Sequence, residues 1–464
     1  MESSKQTDRD ARREMMLEGN LLKIIPIIAL PQVVTMIIDS LYNLADTYFV
    51  SQLGEAATAA VGVNDSMMHI IRALSLAFGM GASSYISRMM GAKKDEEASR
   101  AASTTLLTAM GFIAVFSLIC FFCASPLVTL LGATESARLH SIEYARWTFL
   151  FAPFTAATVC LSQSLRAEGS STLAMIGSIS GCIINCFLDP LMISFFHWGV
   201  AGAAIATGIS KLISAMILFY PYFRHTSMLN ISPRLFTPTR ELYREIARMG
   251  IPTGLRTSMM AIANIVINNI AGNYGDVALA AVSVANKCMK FVASAVMGFG
   301  QGFQPIAGFN WGAKQYARVK KAYCYTSLIG LGLGASLGAL LFLFAEQALR
   351  LFSPNLDMIG IGMVLIRSQC IVLPFHVWVM ISTGIFQGTG KAFQAGFLGL
   401  CRQILALIPA VLLMSHFWGL TGLTYAQAVA DVISALIALC LILPMMKELT
   451  RLQKEQDHPG LASM

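Results

Sequence analysis

Charge is scarce in this chain. Only 12 % of its 464 residues are Asp, Glu, Lys or Arg, against roughly 25 % in a soluble domain. That argues against a water-soluble globular protein. Segments of about 10 residues alternating in polarity are missing, which argues against a membrane β-barrel. The first 20 residues have no apolar core: Lys5, Arg9, Arg12 and Arg13 alternate with Asp8, Asp10, Glu14 and Glu18. They do not read as a signal peptide, so the first apolar span is expected to act as an uncleaved insertion signal. Ten cysteines are scattered, and the single CxxC, Cys120 to Cys123, has no second pair. A structural zinc needs four ligands, so these are read as small packing residues with no disulfide framework. No nucleophile with a base is evident, and His69, His376 and His416 read as isolated within spans. An enzyme is therefore not expected.

What is present is apolar length. Hydrophobic residues make up 56 % of the chain, in runs long enough to cross a bilayer at about 20 residues each. Twelve spans are expected, at 23–50, 57–90, 101–123, 143–165, 171–195 and 199–222, then 244–271, 278–309, 320–346, 361–386, 393–416 and 420–446. They must be helices, because hydrocarbon satisfies no backbone polar group. The net charge of +8 is concentrated at one end of the spans. Arg88, Lys93, Lys94 and Arg100, Arg224 to Arg248, Lys314 to Lys321, and Lys447 to Lys454 all fall there, while the loops 51–56, 193–199, 272–277 and 415–420 hold none. The positive-inside rule then places both termini in the cytoplasm. Charges distributed this way form no separate basic domain, so no nucleic-acid partner is expected. Asn230-Ile231-Ser232 fits a glycosylation acceptor but falls on the cytoplasmic side.

The chain also repeats itself. At a shift of 221, Pro31 meets Pro252, Asn43 meets Asn264, Gly54 meets Gly275, and Gly91-Ala92-Lys93 meets Gly312-Ala313-Lys314. Arg146 meets Arg367, Pro153 meets Pro374 and Gly169 meets Gly390; after one deletion, Trp198-Gly199 meets Trp418-Gly419. One unit is used twice. Six spans per unit make the repeats parallel, related by a pseudo-two-fold axis along the membrane normal, an arrangement of transporters. The expected organisation is a cytoplasmic tail at 1–22, an N-terminal six-helix lobe at 23–222, a cytoplasmic link at 223–243, a C-terminal lobe at 244–446 and a tail at 447–464. Gly177 with Gly181, and Gly330 with Gly334 and Gly338, mark close helix contacts. Pro31 is expected to bend the first span.

Ionisable groups inside a bilayer cost about 2.5–3.5 kcal/mol on the insertion scale, so each needs a reason. Asp46 lies eight residues before Gly54, Asp189 ten before Gly199, and Thr207 eight after Gly199. At about 1.5 Å per residue all three sit roughly 10–15 Å inside the outer surface. Asn185 is one turn from Asp189 on the same face. Two carboxylates, an amide and a hydroxyl thus converge, an all-oxygen set suited to H⁺ or Na⁺ and to no soft metal. Salt bridges to Arg72 or Lys211 are the competing reading. Asp39 is a further candidate, and either it or Asp65 can partner Arg72. The repeat puts Ile267, Ala406, Ala410 and Gln427 opposite the four site residues. Coupling chemistry is therefore expected in the N-terminal lobe alone.

Several motifs resemble one family. They are Leu44-Ala45-Asp46-Thr47 with Gly54, Arg166-Ala167-Glu168-Gly169, Asn185 with Leu188-Asp189-Pro190, Gly199 to Thr207, and Asn310-Trp311-Gly312-Ala313. Together they are similar to the multidrug and toxic compound extrusion (MATE) transporters, most of all the bacterial DNA-damage-inducible or MepA-like branch. The resemblance implies two six-helix bundles around a cleft, and export of amphipathic, often cationic, drugs in exchange for H⁺ or Na⁺. It also implies a cytoplasmic-membrane location, no other cofactor or metal, and Asp46, Asn185, Asp189 and Thr207 as the cation site. Tyr42 is implied as its neighbour and Pro31 as the bend. A monomer with the lipid bilayer and drugs as partners is expected. Asp39 departs from the pattern as an extra acid. Lys287 and Lys290 weigh against cationic cargo and keep open a lipid-linked precursor flippase.

Overall fold

The computed structural model describes residues 2–352 and 355–457; the remainder of the expected C-terminal tail lies outside the described residues. Among those residues every regular element is helical. The segment read as an N-terminal tail is itself helical over α1 (Glu2–Glu18), and α2 (Leu21–Ser51) passes through Pro26 and Pro31 as one helix. Then come α3 (Glu55–Gly91), α4 (Asp95–Phe122), α5 (Ala124–Leu130), α6 (Glu135–Ala167), α7 (Ser171–Pro190) with a π-helical extension Leu191–Phe195, and α8 (Gly199–Phe223). The order recurs as α9 (Arg240–Gly272), α10 (Asp276–Gly312), α11 (Tyr316–Leu343), α12 (Ala345–Arg350), α13 (Leu356–Gly388), α14 (Ala392–Cys401), a π segment Arg402–Leu407, and α15 (Ile408–Asp457). α15 is two helices joined at Gly419, where φ is +58°. Each of the twelve expected spans falls on a helix; among the described residues nine helical stretches are long and apolar enough to cross a membrane, with Ala392–Asp457 counted as one and α3 and α9 not among them.

The backbone carries the repeat torsion by torsion. Gly54 has φ +100° and Gly275 +97°, and Gly199 and Gly419 have +56° and +58°. A Cβ at Gly54 or Gly275 meets nothing within 4 Å, so the requirement there is for left-handed backbone, which glycine adopts freely. Lys93 and Lys314 match as well, at +61° and +59°.

Contacts divide the chain into two compact units that cut across the repeats. Unit 1 holds the chain up to Met15 and Val34–Gly254, and unit 2 holds Met16–Val33 and the chain from Leu255 onward. This contact division differs from the repeat division drawn from sequence at 223–243. The link and the start of α9 belong to unit 1, while the start of α2 belongs to unit 2. Pro31 and Pro252 each lie two residues before a boundary, after Val33 and after Gly254.

In unit 1, α6 is central and packs on α3, α4, α7 and α8. The start of α9 seats on α3 through glycine: a Cβ on Gly81 would come within 2.4 Å of Ile246 O, and one on Gly250 within 2.2 Å of Ala77 O. In unit 2, α13 is central and packs on α10, α11, α14 and α15. There the start of α2 seats on α10, with Cβ atoms on Gly298 and Gly302 falling 2.7 Å from Val33 Cα and 2.5 Å from Ala29 Cα. Lipid is as apolar as leucine, so this close approach, more than hydrophobic burial, holds such helices together. The glycine stripes read from sequence behave in the same way: Gly177 and Gly181 face Leu218 and Ser214, and Gly334 and Gly338 face Pro374 and Cys370.

The link is stitched onto unit 1. The backbone N–H groups of Asn230, Ser232 and Thr237 donate to Ser99 Oγ, Ser103 Oγ and Thr104 Oγ1 at 3.0, 3.1 and 2.9 Å. Glu168, just beyond α6 and fully buried, accepts from Ser170 Oγ and Ser227 Oγ, both at 2.6 Å, and from the Met228 and Leu229 N–H groups at 2.8 and 3.1 Å. Arg12 of α1 stands 3.6 Å away. Burial pushes the Glu168 carboxyl above its ordinary 4.5, against the opposing pull of Ser170, Ser227, Arg12 and Leu229.

Candidate functional site

The expected acid cluster assembles inside unit 1. Asn185 and Asp189 lie one turn apart on α7 and are each 1 % exposed. Asn185 Nδ2 donates to Asp189 Oδ1, and Tyr42 of α2 donates its hydroxyl hydrogen to Asn185 Oδ1 at 3.0 Å. Asp46, one turn along α2 from Tyr42, brings its carboxyl into hydrogen-bonding range of Asp189. Thr207 of α8 is buried and within reach of the Tyr42 hydroxyl. Asp46, Asn185, Asp189, Thr207 and Tyr42 thus meet at one level, contributed by three helices.

Two oxygens in this cluster lack a donor. Asp46 Oδ1 and Asp189 Oδ2 are buried, and neither has a hydrogen-bond partner among the described residues. Nor has either acid an ion-pair partner there. Arg72 Nη2 pairs with Asp39 Oδ2 at 2.7 Å, and Lys211 Nζ lies 5.8 Å over the Tyr42 ring. Asp39 therefore stands in an ion pair outside the cluster. Two facing carboxylates cannot both stay charged in a desolvated site without a proton or cation between them.

One neighbour escaped the sequence reading, and another, Asp65, was read there only as a partner for Arg72. Tyr144 of α6 is 4 % exposed and lies in the field of Asp46, Asp65 and Asp189. Asp65 of α3 is the leading charge acting on Asp46. Its acidity was visible in the sequence, but its angle around α3 was not. An open apolar groove of about 480 Å³, lined by Leu106, Met110, Phe154, Leu212 and Phe219, also lies in unit 1 and includes none of the acids.

Unit 2 corrects one expectation. His376 is not isolated: its Nδ1 stands 3.2 Å from Asp431 Oδ1, which also accepts from Arg402 Nε at 2.6 Å. The three residues lie on α13, α15 and the π segment, with side chains 12 %, 7 % and 11 % exposed. Above them on the same helices, Gln369 donates to Gln427, the repeat partner of Thr207, at 3.1 Å. The oxygen cluster of unit 1 has no copy here, but a charged centre of another kind occupies unit 2.

The comparisons agree with this architecture. The MatE family model matches residues 31–191 and 252–412, one match in each repeat. The multidrug export protein MepA of Staphylococcus saprophyticus is 24 % identical over 423 residues, covering 91 % of this chain and 93 % of the relative. A Staphylococcus aureus protein of the same name is 25 % identical over 425 residues, with the same coverage. Among solved structures, a MATE protein in complex with MaL6 superposes with a TM-score of 0.90 at 26 % identity, over 94 % of this chain and 99 % of that one. An outward-facing multidrug resistance MATE family transporter gives 0.89 at 26 % identity, over 94 % and 98 %. This chain belongs to the MatE family, whose members are transporters and not enzymes.

Proposed function

We propose that this MatE-family protein exports amphipathic drugs from the cell in antiport with a cation taken up by the Asp46–Asp189 pair. The observation that carries the reading is the pair of donorless oxygens, Asp46 Oδ1 and Asp189 Oδ2, buried on facing acids. A single proton between them would satisfy both. Asn185 and Tyr42 help to fix the pair, and at least these two buried oxygens stay open to an ion among the described residues. We take H⁺ as the coupling ion, because one shared proton is the smallest charge that satisfies both. With the termini in the cytoplasm, the pair lies toward the outer side and loads from there.

In the proposed cycle, protonation neutralises the pair and removes its repulsion, which shifts unit 1 between two packings. The drug leaves outward, and the proton leaves inward after the return. A ligand shifts such an equilibrium only through differential affinity, and a buried acid pair supplies it because its charge state changes the desolvation cost. Thr207 closes the shell through Tyr42, and Pro31 lies where α2 leaves unit 2 for unit 1. The names of the curated relatives, multidrug export proteins, support the drug class.

The test is drug efflux from proteoliposomes under an imposed pH gradient in sodium-free buffer. Efflux should collapse with a protonophore and be absent in the Asp46→Asn, Asp189→Asn double variant. Normal efflux by that variant would sink the assignment. Efflux that follows a sodium gradient instead would overturn the choice of ion.

A further inference from the structure

Unit 2 holds more positive charge at mid-span than it neutralises. Arg256 lies near the middle of α9, with its stem against Gly399: a Cβ there would come within 2.8 Å of Arg256 Cδ. Its guanidinium has one hydrogen-bond partner among the described residues, the Met380 sulfur, with Nη1 to Sδ at 3.8 Å. That is a weak acceptor for a strong, fixed donor fork. Arg402 is close enough to act on it electrostatically. Asp431, the acid that pairs with Arg402, is shared with His376. Among the described residues Arg256 itself has no ion-pair partner. Its positive charge is therefore uncompensated there, on a half-buried side chain that touches α13 and α14.

A second feature points to the same place. Arg402 is the first residue of the π segment Arg402–Leu407. π-helical turns inside α-helices concentrate at functional sites. The other π segment, Leu191–Phe195, starts two residues after Asp189. Each unit therefore distorts its fifth span beside its charged centre, at registers the repeat does not relate.

We propose that unit 2 carries a binding site for the carboxylate of an amphipathic organic anion or zwitterion, with Arg256 as the primary contact and Arg402 as the supporting charge. A carboxylate accepts two parallel hydrogen bonds from one guanidinium, which gives strength and orientation. Asp431 accepts a single hydrogen bond from Arg402 Nε at 2.6 Å, so a guanidinium–carboxylate contact already forms in this unit. Gly399 and Met380 lie against the Arg256 stem and head, and apolar neighbours of this kind suit the ring system of such a ligand. The reading goes beyond efflux and does not rest on it.

Equilibrium binding to the purified full chain in neutral detergent tests it. Dansylglycine supplies the carboxylate and dansylglycinamide is its uncharged twin. The acid should bind at least about tenfold more tightly than the amide, as expected for a charge-assisted hydrogen bond. Arg256→Gln should erase the preference, and Arg256→Lys should retain part of it. On the unaltered chain, the acid and not the amide should protect Arg256 from modification by phenylglyoxal, read by peptide mass mapping, which keeps the test independent of how the variants fold. Equal affinity for the two probes, or a preference that survives Arg256→Gln, or no protection of Arg256, overturns the proposal. Efflux defects in any variant do not bear on it, because binding is read at equilibrium without a gradient.

Discussion

In unit 1 the fifth span turns π-helical after an acid, Asp189; in unit 2 it does so at a base, Arg402. The acid faces a second acid and the base faces a carboxylate. Much of the frame around them is shared, including the matching torsions of Gly54 and Gly275 and of Gly199 and Gly419. Duplication therefore fixed the helices and their turns, and the charges diverged inside that frame. Unit 1 holds like charges that need an ion, and unit 2 holds opposite charges with one cation to spare. The first arrangement is unstable without a ligand and suits a coupling site. The second is largely self-satisfied and suits recognition.

The comparison breaks most sharply at the acid pair. Asp189→Ala gives unit 1 the residue that unit 2 has at Ala410. Gradient-driven efflux should fall to the level of protein-free liposomes, and adding Ala410→Asp should not restore it. Restoration would mean that the two units are interchangeable as carriers of the ion.

Stability should separate the centres by sign. Asp431→Asn leaves Arg402 and His376 facing a neutral amide, and breaking a buried ion pair costs about 3–5 kcal/mol. The melting temperature of the purified protein should drop accordingly. Asp189→Asn removes a like-charge contact, so the same chemical change in unit 1 should leave the melting temperature unchanged or raise it. Equal losses would show that Asp189 is paired like Asp431.

Part of this was legible from sequence, for a specific reason. Depth along a helix follows from counting residues from a turn glycine, and Asp46, Asp189 and Thr207 met as that arithmetic required. Rotation about a helix is not fixed by counting. It hid Asp65 and Tyr144, and it concealed that His376, Asp431 and Arg402, from three separate stretches, point at one another. The prolines at 31 and 252 stood out in the sequence. That they mark where α2 and α9 change unit depends on long-range packing at Gly81, Gly250, Gly298 and Gly302, which no local pattern encodes.

Glu168 offers a third contrast, because its repeat partner is Thr389. Thr389 only bonds back to its own helix, at Ile385 O and 2.8 Å. Glu168→Ala leaves the Met228 N–H without its buried acceptor and the Leu229 N–H with Ser227 Oγ alone, which costs about 1–3 kcal/mol, while Thr389→Ala should cost under about 1 kcal/mol. The acid also adds a pH slope. Its folded value is raised above the ordinary 4.5, so its contribution is fully present below that value and is lost as pH rises through the raised one. Thermal unfolding across that window should show the decline in the parent chain and its absence in Glu168→Gln. A slope of the opposite sign would mean that the five donors outweigh burial.

The last contrast belongs to a glycine that both units share. Gly202 and Gly422 are repeat partners, each three residues past a left-handed glycine, and each faces a backbone carbonyl of the preceding span. A Cβ on Gly202 would lie 2.9 Å from Met192 O, but one on Gly422 only 1.9 Å from Met414 O. The π segment explains the difference, since Met192 lies within Leu191–Phe195 and its wider turn leaves room, whereas Met414 belongs to regular helix. Overpacking costs about 1–3 kcal/mol. Gly422→Ala should therefore reach or exceed the upper end and Gly202→Ala stay near the lower, as measured by the two melting temperatures. If the order reverses, the π turn beside Asp189 is the more rigid of the two, and the slack that the proposed coupling cycle asks of unit 1 must come from another part of that unit.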